Sequence, residues 1–502
     1  MMDKTRAYNW YISLVAASCM VLYGYDASVF NSVQGSKHWV AYFDNPNPQL
    51  TGAVNTSYTV GAITAGFFLG GPLSDYFGRR WGMGIGCFLT IVATVLQTFS
   101  SRGKLGCFIA GRAMIGIGQG IALTSGPVYI GEMAPANIRG KIMSFWQMFY
   151  SVGSFIAYWI NYICSLHIES LGEWDWKIVV ACQMLVPITL ICLLPFIPES
   201  PRWYIQHDYP ISYARSSLLR VRSTATEVEV EIHLIYDTLQ FEASNSTSYS
   251  ALWKDRSIRK RLILAFILNI GQQLTGQGTL NTYSTAVYKK VFKSSDQIAL
   301  INALNATFGI IFTLNATWTV DRFGRKVLLI CGTLGMAICM LGVALVSSQT
   351  PTLADGSKSE NVGISIVFLL FLFIFFYKPS WGATTWIWTA EVFSMSVRAQ
   401  AVGMSSQMQN VANAIFQQFF PTFLKNSGFK TFYFFFTVNI CLAAYVYFLI
   451  PETKRLTLEE IHITFDGTHH DLHERESVIK VRADIDLSLV HRKQLTGKSL
   501  IE

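Results

Sequence analysis

Three ionisable side chains stand inside long apolar runs of this chain. Asp26 lies in Leu22-Tyr23-Gly24-Tyr25-Asp26, Arg112 in Gly111-Arg112-Ala113-Met114, and Lys378 in Phe375-Phe376-Tyr377-Lys378-Pro379. Such residues are expensive in a bilayer and face a cavity, a charge partner or a proton path. A buried carboxylate pairs with a neighbouring cation when ionised and releases it when protonated. Asp26 with Arg112 can therefore work as a proton-coupled switch, and a static structural ion pair is the alternative. Lys378 has no Asp or Glu between Glu360 and Glu391 to pair with locally. An ammonium there favours a carboxylate ligand; a lysine snorkelling to the interface is the other reading.

The elements that must position these groups are legible from a repeat. Asp75-Tyr76-Phe77-Gly78-Arg79-Arg80 returns as Asp321-Arg322-Phe323-Gly324-Arg325-Lys326, 246 positions later (321 − 75). Glu132 with Arg139 and Glu391 with Arg398 form a second pair of copies, each seven apart. All four motifs fall in short charged loops between apolar runs. Two homologous membrane halves follow, an arrangement in which transporters place their substrate site between the halves.

Composition agrees. Of 502 residues, 51% are hydrophobic and only 14% charged, against roughly a quarter charged in soluble domains. Apolar runs near ~20 residues, enough to span a bilayer as helix, occur near 10–33, 54–74, 83–100, 107–126, 142–164, 177–197, 262–286, 297–319, 327–347, 363–390, 399–424 and 430–450. The expected fold is all-α and membrane-integral, with twelve transmembrane helices in two pseudo-symmetric six-helix bundles. The expected domains are an N-terminal bundle (1–197), a cytoplasmic helical linker (198–261), a C-terminal bundle (262–450) and a cytoplasmic tail (451–502). The first run is read as a retained span and not a signal peptide.

Arg79, Arg80, Arg139, Lys141, Arg322, Arg325, Lys326, Arg398, Lys454 and Arg455 fall on one side of that topology. Basic loops mark the cytoplasm, so both termini are expected there. The net charge of +8 thus reflects membrane orientation, and no nucleic-acid partner is expected. The nine cysteines are scattered without metal-ligand spacing, and no disulfide is invoked. The sequon-like sites at Asn55, Asn245, Asn305 and Asn315 are weak, and no phosphate-binding Gly-Lys-Ser/Thr loop points to ATP. No nucleophile–base or metal constellation suggests an enzyme, and no cofactor is expected beyond the proton as coupling ion.

The repeated loops, Gly111-Arg112, Pro198-Glu199-Ser200-Pro201-Arg202-Trp203, Gln272-Gln273-Leu274-Thr275-Gly276 and Pro451-Glu452-Thr453-Lys454 occur in one order. Together they resemble the sugar porter family of the major facilitator superfamily over essentially the whole chain. The resemblance implies two bundles rocking about a central sugar site, with proton symport in many members and Asp26 and Arg112 as the coupling pair. It implies a monosaccharide site built from Gln272, Gln273, Trp386, Gln409 and Asn413, with Tyr283 beside the glutamine pair and Ser154 in the fifth span. It also implies a cytoplasmic gate in which Arg79, Glu132, Arg139, Arg325, Glu391, Arg398 and Glu452 join the bundle ends when the site faces outward.

Three departures bear on the substrate. Ser154, Gly278 and Gly309 stand where hexose carriers commonly have amides, and Lys378 is added eight residues before Trp386. Pro379 is expected to break the helix locally. The substrate expected is an acidic monosaccharide such as galacturonate, imported by proton symport through a monomeric unit in the plasma membrane. A neutral hexose, pentose or deoxysugar symporter, a facilitator, and a sugar sensor without transport stay open.

Overall fold

In the computed structural model the described residues are 4–135, 146–222, 224–244, 253–254, 256–350, 359–393, 398–454 and 465. They form twelve helical columns. The first is Lys4–Val33; the second joins Pro48–Thr64 to Gly70–Phe77 through a π turn at Ala65–Leu69. Arg79–Thr98, Leu105–Met133 and Trp146–Leu166 are the third to fifth, and Trp174–Ala181 with Leu185–Leu193 makes the sixth. The seventh is broken into Arg256–Leu274 and Gln277–Tyr288 at Gly276, which has φ +103°. Ser295–Phe323 and Arg325–Gln349 are the eighth and ninth. The tenth joins Glu360–Tyr377 to Thr384–Glu391 through a π turn at Lys378–Gly382. Arg398–Ser427 and Thr431–Leu449 complete the set.

Pro379 therefore sits in a π turn that carries the tenth helix onward, where a break was expected. The five-residue turn accommodates the missing N–H, as π-bulges do in helices at functional sites.

Eight segments are long and apolar enough to cross a membrane, and one of them, Gln400–Leu449, contains two columns. The second, fifth and seventh columns fall short, which accounts for all twelve (8 + 1 + 3). Each carries polar residues toward the other bundle. The second runs along the eleventh, the fifth along the eighth, and the first meets the outer part of the seventh. A helix facing protein need not be apolar all round.

Backbone contact within the first bundle depends on glycine. A Cβ at Gly24 would lie 1.9 Å from the Tyr150 carbonyl oxygen, and one at Gly116 would lie 2.0 Å from that of Tyr58. Small residues let membrane helices approach this closely. Between the bundles, residues 198–261 contain the helices Pro201–Gln206, Ile211–Leu219 and Ala225–Ser244. They pack on the end of the first bundle that carries the charged loops, where Arg222 donates to the Met133 carbonyl (3.1 Å). We call this end the motif end and the other the far end.

Candidate functional site

At the motif end the repeated loops build the same device twice. Gly78 and Gly324 precede the third and ninth helices with φ +99° and +93°, a region open to glycine. Glu199 lies over the first of these helix starts and accepts the N–H groups of Arg79, Arg80 and Ser200 at 2.9–3.1 Å. Glu452 does the same for Arg325, Lys326, Thr453 and Lys454 at 2.9–3.0 Å. A carboxylate is stabilised at a helix N-terminus by free N–H groups and the macrodipole. Burial raises the Glu199 pKa, opposed by the N–H groups of Ser200, Arg80 and Arg79.

Glu452 was expected to pair with a cation across the bundles; instead it caps a helix in its own bundle. The reason is its place, directly after the twelfth span, beside the Gly324 turn. Gly324→Ala would put a Cβ 2.8 Å from Glu452 Oε2 at a left-handed φ, so it should cost roughly 2 kcal/mol or more. Glu452→Gln should cost less. Thermal unfolding of the purified chain checks the order, and equal stability of both variants with wild type would refute the capping role.

The described ion pairs of the repeated loops also lie inside each bundle. Arg79 takes Glu132 through two nitrogens (3.1 and 3.2 Å) and Asp75 at 3.0 Å. Arg325 takes Glu391 at 2.7 Å, whose other oxygen accepts from Thr453. Arg139 and the side chain of Arg398, expected to join this gate, lie outside the described residues.

The described hydrogen bonds between bundles run from mid-helix to the far end. Asn31 is their densest node. Its Nδ2 donates to Tyr158 Oη (2.7 Å) and Ser284 Oγ (2.6 Å), and its Oδ1 accepts from Gln34 Nε2 (3.0 Å) and the Thr285 N–H (3.1 Å). Tyr283 has non-helical angles (φ −125°, ψ 16°). In a regular helix the Thr285 N–H bonds the Asn281 carbonyl; here that carbonyl accepts from Tyr158 Oη at 3.2 Å. First-bundle side chains thus satisfy the kinked backbone of the seventh helix. Gln34 also donates to the Thr282 carbonyl (2.6 Å), and Thr59 donates to Gln417 Oε1 (2.9 Å).

Asn31→Ala removes this node, each bond worth about 0.5–1.5 kcal/mol. Thiol labelling of a cysteine at buried Ser32 should then rise about tenfold or more. Unchanged labelling would show that Asn31 does not hold the far end shut.

Midway, Asp26 is fully buried and its carboxyl oxygens accept no hydrogen bond. Arg112 was expected to ion-pair with it. The guanidinium instead donates to the Asp26 main-chain carbonyl (3.1 Å) and stands over the rings of Tyr58 (4.7 Å) and Phe30 (5.7 Å). The two residues are neighbours, with the aromatic rings taking up the cation. Gln183 of the sixth span lies beside the Asp26 carboxyl, and its amide is likewise unbonded.

Lys378, half-buried, reaches across the bundle interface. Its Nζ donates to Ser151 Oγ of the fifth span (3.2 Å) and lies 5.9 Å from the Tyr150 ring. A Cβ at Gly309 would stand 3.9 Å from Lys378 Cε, so the amide absent from the eighth span leaves the lysine its path. Tyr150 Oη accepts from Asn281 (2.9 Å), and Ser151 Oγ lies 3.3 Å from Thr313 Oγ1. Gly278 is accounted for in the same way: a Cβ there would lie 2.0 Å from Gln273 Oε1 and 3.1 Å from Asn413 Oδ1. The two amides meet where a larger residue would sit.

The remaining sequence candidates divide. Gln272 donates to the Trp381 carbonyl (2.8 Å), leaving its Oε1 unbonded, as is Gln409 Oε1. Trp386 is half-buried on Thr384–Glu391. Ser154 accepts from Ser28 (2.8 Å) and donates to the Gly24 carbonyl (3.1 Å), which occupies it inside the first bundle. Tyr283 was expected beside the sugar; its hydroxyl donates to the Gln417 carbonyl (2.7 Å) and its ring stacks on Phe420, placing it in the far-end closure. Sequence reasoning passed over Asn31, Tyr150, Ser151, Gln183 and Asn281. A polar residue inside an apolar run was the available signal, shared with many helix-packing residues.

Comparison with known proteins bears on the whole architecture. A family model described as sugar (and other) transporter matches residues 12–465. A quinate permease of Emericella nidulans is 28% identical over 489 residues, covering 92% of this chain and 90% of the relative. A probable quinate permease of Aspergillus clavatus is also 28% identical, covering 92% and 89%. The inward open conformation of the xylose transporter XylE from E. coli superposes with a TM-score of 0.76 at 27% identity, covering 91% of this chain and 100% of that one. The proton:xylose symporter XylE bound to 6-bromo-6-deoxy-D-glucose gives 0.72 at 27%, covering 92% and 99%. With two six-helix bundles closed at the far end and the repeated motif loops in place, this chain belongs to the sugar transporter family of the major facilitator superfamily.

Proposed function

We propose that the protein is a proton-coupled importer of a polyhydroxylated carboxylic acid, either a hexuronate or a cyclic acid such as quinate. The observation that carries this reading is the Lys378 ammonium. It sits between the bundles with Ser151 and the Tyr150 ring as its described contacts, and Gly309 leaves its path open. A carboxylate is the natural ligand for an ammonium so placed, through a charge-assisted hydrogen bond. The unbonded amide oxygens of Gln272, Gln273 and Gln409 are acceptors for substrate hydroxyls. The quinate permeases among the relatives support an acid of this class.

The motif end, rich in Arg and Lys, is taken as cytoplasmic, and the plasma membrane as the location. The structure is then an inward-facing stage, with Asp26 released from Arg112. An ionised carboxylate buried without a paired cation is costly, and a carried proton removes that cost. No other cofactor is needed.

A transporter-deficient cell offered labelled quinate, galacturonate, xylose and glucose in competition tests the proposal. Uptake of an acid, competed by acids and hardly by glucose, supports it. Ready uptake of glucose or xylose with indifference to both acids would overturn it. The neutral-sugar reading is favoured by one feature, the amide cluster of Gln273 with Asn413 beside Gly278.

A further inference from the structure

Above the far-end closure the structure holds a cavity of about 300 Å³, at the lower limit of small-molecule sites. Its walls come from both bundles: Pro46, Pro48 and Thr51 from the first, Lys290, Pro421 and Lys425 from the second. Its floor is Gln34 and Tyr283, two residues that help close the passage below, through bonds to the Thr282 and Gln417 carbonyls. Among the described residues, two ammonium groups line it and no carboxylate does. Lys290 is held by the Leu424 carbonyl (2.8 Å), which fixes its charge at the wall. Lys289, the next residue, donates to the Gln34 carbonyl (3.3 Å) and is close enough to Lys37 for their charges to repel. Asp44, the acid nearest in sequence, turns toward Gly103 in the next loop.

We propose that this cavity is an anion-collecting vestibule, a carboxylate-binding site that holds the acidic substrate above the closed far end before the bundles open. The inference rests on the proposed acidic substrate and extends it to a second, outer site. A cleft lined by one sign of charge concentrates ions of the other by tenfold or more. A carboxylate between Lys290 and Lys425 would be held by the second bundle and would face Pro46, Pro48 and Thr51 of the first. It would also compete with the Leu424 carbonyl for Lys290, close to the one lysine bond described as crossing there, from Lys289 to the Gln34 carbonyl.

The test uses the full chain with Thr51→Cys at the cavity wall, against the parent chain as background. Labelling rates are compared for two thiol reagents of similar size, sulfonatoethyl and ammonioethyl methanethiosulfonate, each normalised to its reaction with a free small thiol. At low ionic strength the anionic reagent should react about tenfold faster, and 150 mM salt should shrink the difference, since it screens exposed charge. Lys290→Gln with Lys425→Gln should abolish the preference. Quinate or galacturonate should slow labelling, and glucose should not. Equal rates for the two reagents, or no protection by either acid, overturn the vestibule. Its failure is distinguishable from failure of the substrate reading. A chain that shows the charge preference yet imports only neutral sugars loses the acidic substrate, whereas one that imports acids with equal labelling rates loses only the vestibule.

Discussion

Asp26→Asn is expected to abolish accumulation against a gradient while leaving exchange down a gradient. The residue is fully buried, and its carboxyl oxygens are unbonded in a structure closed at the far end. Asparagine has nearly the same shape but cannot take or give up a proton, so it mimics one protonation state permanently. Accumulation of labelled substrate measured with and without a protonophore should fall by orders of magnitude in the variant, to the level set by equilibration. Arg112→Ala should also impair coupling, because it removes the cation an ionised Asp26 would meet and leaves the Tyr58 and Phe30 rings without their charge. Wild-type accumulation that ignores the protonophore would rule out proton symport altogether.

Lys378→Met should weaken binding of the acidic substrate by tenfold to a hundredfold. A charge-assisted hydrogen bond contributes roughly 1.5–3 kcal/mol net, and each 1.4 kcal/mol is about tenfold. Methionine is unbranched and apolar, so it fills a transmembrane position without unfolding it. The seat of Lys378 on a π turn also does not depend on its charge. The loss should therefore fall on acids and spare any residual uptake of neutral sugar. A uniform loss across acids and sugars would point instead to the bridge from Lys378 to Ser151 as a bundle contact with no part in selectivity. Competition uptake with quinate, galacturonate and xylose separates the two outcomes.

Much of the architecture follows from the chain alone. Twelve apolar runs, a motif repeated 246 positions apart (321 − 75) and the scarcity of charge are local properties, and a bilayer leaves helices as the way to bury such a backbone. The three intramembrane ionisable residues stood out for the same reason: in hydrocarbon each is an exception that needs a purpose. What each of them touches was decided only by the tertiary structure. Arg112 meets a main-chain carbonyl and two rings where a carboxylate was expected, because those groups come from the first and second spans and no spacing in the sequence records them. Glu452 and Glu199 cap helix starts because a turn with positive φ brings N–H groups beneath them, a backbone fact invisible in residue type. Asn31 and Lys378 bridge bundles across 253 and 227 residues, and such long-range contacts leave no periodic trace. Local hydropathy thus determined the elements and their order, while the pairing of polar groups between bundles depended on how helices of two halves pack against each other.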